Sequence, residues 1–184
     1  HAAGADFWLL GMARSLDDTL LHLRLNEPEL GIIVFKSVGD PALVLAADAL
    51  LEAHRDDWLV REIRLFLKRT LKRVDMTARS LFALIEPGSC FAGTLAELAF
   101  AADRSFIHVG ARSGDNRPAA TLTLAAASFG AYPMGNGLSR LATRFLGEPV
   151  SLAAAEREIG TPLSAEAAEA LGHVTFAYDE VDWD

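Results

Sequence analysis

A chain of 184 residues, 51% hydrophobic and only 23% charged, is long enough for one domain with a real core and too apolar for extensive disorder. Its net charge of −8 argues against a nucleic-acid partner, and no segment approaches the ~20 consecutive apolar residues that cross a bilayer, so no membrane partner is expected. The lone cysteine, Cys90, excludes an internal disulfide framework and fits a reducing, cytoplasmic setting.

Asp6 to Glu27 has helical periodicity, with Leu16, Leu20, Leu21 and Leu23 near one stripe and Asn26-Glu27-Pro28 as a stop. Gly31 to Lys36 reads as a buried strand ended by Gly39-Asp40-Pro41. Helices are predicted over Ala42 to His54 and from Asp57 to Asp75. In the second, Ile63, Phe66, Leu67, Thr70, Leu71 and Val74 share one face, which turns Arg61, Arg64, Lys68, Arg69, Lys72 and Arg73 toward solvent. Those six basic residues against Glu62 give +5 and leave −13 elsewhere. A solvated face meeting acidic neighbours accounts for them, although a phosphorylated ligand would find this the most hospitable surface.

Leu81 to Ile85 is the next buried strand, followed by the turn Glu86-Pro87-Gly88-Ser89 and a helix entered at Gly93-Thr94. Arg104 to Val109 is a short strand and Gly110 to Pro118 a polar loop. Ala120 to Ala127 is ambiguous, since Thr121 and Thr123 alternate with Leu122 and Leu124 as in a strand. Tyr132 to Gly137 is a turn, helices are predicted over Leu138 to Leu146, Ser151 to Glu158 and Ser164 to Leu171, and His173 to Phe176 is a last strand. Strands alternating with helices argue for a single α/β domain over 1–184, a parallel sheet flanked by helices. The beginning shows no signal-peptide pattern, and a start at His1 rather than methionine is what a piece of a longer subunit would have.

The strand-turn-helix unit carries the chemistry. Thr94 stands three residues before Glu97, the spacing of a capping box, and free N–H groups at such a helix start favour an anion or a developing oxyanion. Glu97 either closes the box or faces a pocket and moves protons; the spacing allows both. Cys90, in the loop before the helix, is a buried small side chain or a second proton donor. His1, His22, His54, His108 and His173 show no metal-ligand spacing with one another or with Cys90, and no metal is expected.

Gly93-Thr-Leu-Ala-Glu-Leu-Ala99, Tyr132-Pro-Met-Gly-Asn-Gly-Leu-Ser-Arg-Leu141 and Gly160 to Val174 occur in the order of three motifs of the crotonase (enoyl-CoA hydratase/isomerase) superfamily, and the chain resembles that superfamily over roughly residues 30 to 178. Within it, the runs His54 to Arg73, Ala83 to Thr94 and Gly130 to Gly137 resemble the benzoyl-CoA-dihydrodiol lyases. The resemblance implies a crotonase-like (ClpP/crotonase) spiral of ββα units and a lyase that adds water to 2,3-epoxybenzoyl-CoA, opens the ring and releases formate. It implies an acyl-CoA thioester as substrate, no separate cofactor because coenzyme A is part of that substrate, and a homo-oligomer. Backbone N–H groups at Gly93 or Thr94, and near Leu45, would form the oxyanion hole, with Glu97 and Cys90 as proton carriers and Asn136 holding a water or a substrate oxygen if it does not merely form the turn.

The hydratases' second glutamate falls on Ala126, and no acidic residue lies between Asp115 and Glu148, so two-carboxylate hydration is not expected. Two alternatives remain beside the lyase: a general enoyl-CoA hydratase or isomerase, and a non-catalytic acyl-CoA-binding domain.

Overall fold

The computed structural model describes residues 4–183. Helix α1 (Trp8–Asn26) leads to strand β1 (Ile32–Phe35), then α2 (Pro41–Ala53), α3 (Trp58–Asp75) and β2 (Ser80–Ile85). Local chemistry sets these boundaries. The Asp40 carboxylate accepts the Ala42 N–H at 2.8 Å and Pro41 pre-sets the first turn of α2. Asp57 accepts from Leu59 and Val60 to open α3. Next come α4 (Gly93–Ala101), β3 (Arg104–His108), β4 (Leu122–Thr123) and a 3-10 turn at Ala126–Phe129. The chain closes with α5 (Arg140–Arg144), α6 (Pro149–Arg157), β5 (Pro162–Leu163), α7 (Ala165–Ala170), β6 (Phe176–Tyr178) and α8 (Glu180–Trp183).

The main sheet is parallel throughout, in the order β1-β2-β3-β6. Its register sets Phe35 beside Ala83 and Ile85 beside Ile107, and these four buried side chains join Ala96, Ala99 and Phe100 of α4 in one core. The opposite face carries a half-buried aromatic row: Phe106 meets Phe82 edge-on at 6.1 Å and stacks on Phe176 at 5.4 Å. A second core forms where Leu9 and Ala13 of α1, Leu51 of α2, and Ile63 and Leu67 of α3 meet. The predicted apolar face of α3 is therefore buried, apart from half-buried Phe66. Its basic face meets acids: Arg64 pairs with Glu52 at 3.0 Å, and Arg73 with the buried Asp17 at 2.7 Å. Among the described residues no helix is long and apolar enough to cross a membrane.

Three predicted segments differ. Strand β1, expected to be buried, lies at the sheet edge with Ile32 and Val34 exposed. The ambiguous 120–127 stretch splits, because Leu122 and Thr123 pair with β5 whereas the chain coils into a 3-10 turn from Ala126. The last strand begins at Phe176 rather than His173, since the N–H groups of His173 and Val174 turn back to the Ala168 carbonyl at the end of α7.

Arg79, just before β2, fastens α1 to the sheet. Its guanidinium donates to the carbonyls of Leu23, Glu27 and Leu30 at 2.6–2.7 Å, placing a cation at the negative end of the helix. Replacing it removes a charged donor from all three carbonyls, of which those of Leu23 and Glu27 keep a backbone N–H. Arg79→Ala is expected to lower stability by about 1–2 kcal/mol, read as a drop in the urea midpoint with an unchanged slope. An unaltered midpoint would show that the clasp contributes nothing.

Candidate functional site

Helix α4 opens on an extended Ala92 whose side chain caps nothing, and Gly93 takes φ +46°. Glycine is needed there for two reasons. The left-handed backbone disfavours a side chain, and a Cβ would lie 1.9 Å from Oδ2 of Asp48. That carboxylate, delivered by α2 from 46 positions upstream of Thr94, fills the helix entrance. Its Oδ2 accepts the Thr94 N–H at 2.8 Å, and its Oδ1 accepts the Thr94 hydroxyl. Thr94 has one hydroxyl hydrogen and gives it to Asp48, so in the 3.3 Å contact between Thr94 Oγ1 and the Tyr132 hydroxyl, tyrosine is the donor. Burial raises the Asp48 pKa against the pull of both Thr94 bonds. Burial likewise pushes Tyr132 up to about 12.

The sequence had assigned this entrance differently. Thr94 lies inside α4 and caps Asp48 rather than Glu97, so the predicted capping box does not form. Of the two helix-start amides expected for an oxyanion hole, Gly93 and Thr94, that of Thr94 is already engaged by Asp48. Leu45, expected to supply the second donor, lies within α2, where a helical N–H is taken by the carbonyl four residues earlier.

Glu97 is 1% exposed and turned away from Asp48's surroundings toward Arg140, itself 2% exposed on α5. Arg140 Nη1 donates to Glu97 Oε2 at 2.7 Å and to the Tyr132 carbonyl at 3.0 Å. Its Nε and Nη2 form a fork on Asp75, the last residue of α3, at 2.9 and 2.7 Å. One cation thus serves two buried carboxylates. Burial pushes Glu97 up to about 7, with Arg140 opposing the rise, and it raises Asp75 against the same guanidinium. Glu97 Oε1 has no hydrogen-bond partner among the described residues.

Two large cavities flank this centre. One, of about 670 Å³, is lined by Asp48, Glu52, Arg64 and Tyr132 together with apolar Leu45, Leu124, Phe129 and Ile159. Ala126, where the resemblance would put the hydratases' second glutamate, also lines it. The other, of about 880 Å³, is almost wholly apolar and runs between α1, α2 and β1, with Cys90 on its wall. Glu97 lines neither, so the structure corrects the expectation that it faces a pocket. Cys90 is buried among Val44, Ala92 and Leu95, on a different cavity from Asp48. Asn136 makes the turn: its Oδ1 accepts the Leu138 N–H at 3.0 Å and its Nδ2 donates to Thr143. The residues that converge are therefore Asp48, Thr94 and Tyr132 at the cavity and Glu97, Arg140 and Asp75 behind it. No group of three or more His, Cys, Asp or Glu converges as a metal site would, among the described residues. Asp48 carries no local sequence signal and Arg140 enters only within a motif; neither spacing announces a partner more than 40 residues away.

No protein-family model matches the chain. The overall fold is shared with solved structures. One is an enoyl-CoA hydratase/carnithine racemase from Magnetospirillum magneticum, with a TM-score of 0.64 and 16% identity over 94% of this chain and 60% of that one. Another, an enoyl-CoA hydratase/isomerase family member, gives 0.61 and 21% over 95% and 62%. The fold is that of the crotonases. Over 183 residues the chain is also 47% identical to benzoyl-CoA-dihydrodiol lyase of Aromatoleum evansii, spanning 32% of that protein's length. Fold and sequence agree: the chain has the crotonase fold and is similar to a lyase of which it spans about a third.

Gly93→Ala is expected to destabilise the protein by about 1–3 kcal/mol, because the methyl group must expel Asp48 and also sit at positive φ. A denaturation midpoint equal to that of the parent would refute the close approach. Glu97 makes stability depend on pH. A carboxyl whose folded-state pKa lies near 7 and whose unfolded value lies near 4.5 holds its proton more tightly in the native state. Its stabilising contribution is complete below about pH 4.5 and is lost as pH rises through 7, by up to about 3 kcal/mol. Urea melts from pH 5 to 8 should therefore show falling stability, with a shallower fall in Glu97→Gln; identical slopes would contradict this.

Proposed function

We propose that the chain is the thioester-binding portion of a crotonase-superfamily lyase that adds water to 2,3-epoxybenzoyl-CoA, opens its ring and releases formate. The observation that carries this reading is the 47% identity, sustained along the whole chain, to a protein named benzoyl-CoA-dihydrodiol lyase. The site's chemistry supports it. The 670 Å³ cavity is of the size that encloses a small ligand, and its mixed wall fits an aromatic ring with polar oxygens. Leu45, Leu124 and Ile159 would contact the ring, while Asp48, Arg64 and Tyr132 supply charge and hydrogen bonds. Cytoplasmic action on a coenzyme A ester, in a homo-oligomer, belongs to the same proposal.

The absence of a carboxylate at Ala126, on the cavity wall, weighs against simple hydration of an enoyl-CoA. In this reading Glu97 acts through Arg140, which holds the Tyr132 backbone, rather than by touching substrate.

Formate release from 2,3-epoxybenzoyl-CoA, followed with a formate dehydrogenase couple, is the direct test, with crotonyl-CoA hydration and benzoyl-CoA calorimetry alongside. The expected result is benzoyl-CoA binding and formate release, with slow or undetectable crotonyl-CoA hydration. Hydration without formate would favour a hydratase, and binding with no turnover of either ester would favour a non-catalytic acyl-CoA module; either outcome ends the lyase reading. Glu97→Gln is expected to reduce formate release by about 10-fold or more while leaving benzoyl-CoA affinity close to that of the parent.

A further inference from the structure

The cavity has no second glutamate, yet water addition requires a group that takes a proton and one that gives it back. We infer that Asp48, Thr94 and Tyr132 form a proton relay on the cavity wall, with Asp48 as the catalytic base; the inference rests on the function proposed above. Three observations support it. Asp48 and Tyr132 both line the cavity, whereas Thr94 between them is 1% exposed, so the two ends meet ligand and the link is sealed from it. One atom, Thr94 Oγ1, is hydrogen-bonded to both ends, to Asp48 Oδ1 and, at 3.3 Å, to the Tyr132 hydroxyl. The Thr94 N–H grips Asp48 Oδ2, fixing the carboxylate without using the hydroxyl link. A capping role alone would require neither the tyrosine nor an opening to the cavity.

The step balances. A cavity water bonds through its oxygen to an epoxide carbon and passes a proton to Asp48 as the carbon–oxygen bond of the epoxide breaks. The released oxygen takes the Tyr132 hydroxyl proton. Tyr132 is reprotonated from Thr94, and Thr94 from the newly protonated Asp48, both hydrogen bonds of Thr94 reversing their sense as this happens, so the residues end as they began and one water has been added. No oxidant or reductant is needed. Glu52 and Arg64, paired at 3.0 Å, border the same space and remain available for the polar part of the ester.

Asp48→Asn keeps an acceptor for the Thr94 N–H but cannot take the proton. Thr94→Val keeps the N–H and removes only the hydroxyl link. With the full chain and 2,3-epoxybenzoyl-CoA, Asp48→Asn is expected to lower kcat by about 100-fold or more and Thr94→Val by about 10-fold or more, with benzoyl-CoA affinity within a few-fold of the parent in both. Circular dichroism and the urea midpoint identify a variant that fails to fold, and Tyr132→Phe, expected to lose kcat in the same way, provides an independent removal of one link. If the parent releases formate and Asp48→Asn and Thr94→Val keep its kcat, the relay is wrong and the lyase reading stands. If the parent releases no formate, both fall.

Discussion

A buried guanidinium holds the centre of this molecule together. Arg140 joins the end of α3 through Asp75, the middle of α4 through Glu97 and the segment before its own helix through the Tyr132 carbonyl. Removing such a cation would strand two carboxylates in the interior, a loss of about 3–5 kcal/mol for a broken buried pair. Excess negative charge is built into the arrangement, since two acids share one base. Burial above all, with the neighbouring Asp75 charge adding a little, is why Glu97 holds its proton toward neutrality instead of behaving as a surface carboxylate.

The same residue ties the interior to the cavity. Tyr132 takes the guanidinium on its carbonyl and offers its hydroxyl to Thr94, so the position of the ring depends on Arg140 although Arg140 does not line the cavity. Asp48 completes the chain from the other side. Two acids therefore flank α4 in different roles, Glu97 facing inward to a cation and Asp48 facing the cavity from the helix entrance.

Much of the architecture was legible because it follows local periodicity. The face of α3 from Ile63 to Val74 repeats at helical spacing, and the Asp40-Pro41 and Asp57 starts are short-range signals, so both appear where the sequence put them. Segment 120–127 was not legible because its strand is two residues long and exists only through pairing with β5, some forty residues on. The site was misread for the same kind of reason. Thr94 and Glu97 have the spacing of a local reciprocal cap, but each is claimed by a distant partner, Asp48 for one and Arg140 for the other. Leu45 fell inside a helix whose continuity from Pro41 to Ala53 leaves no free amide at that point. Resemblance pointed to the entrance of α4, and only the three-dimensional arrangement says which side chain fills it.

The fit between Gly93 and Asp48 also constrains how this site can change. A side chain at position 93 is excluded while the carboxylate is present, and shortening the acid at 48 strands the Thr94 amide it receives. Neither substitution is neutral by itself, so a lineage that altered one would meet selection before it reached the other. The pair should be inherited as a unit and lost as a unit, giving positions 48 and 93 a shared history despite lying on different helices.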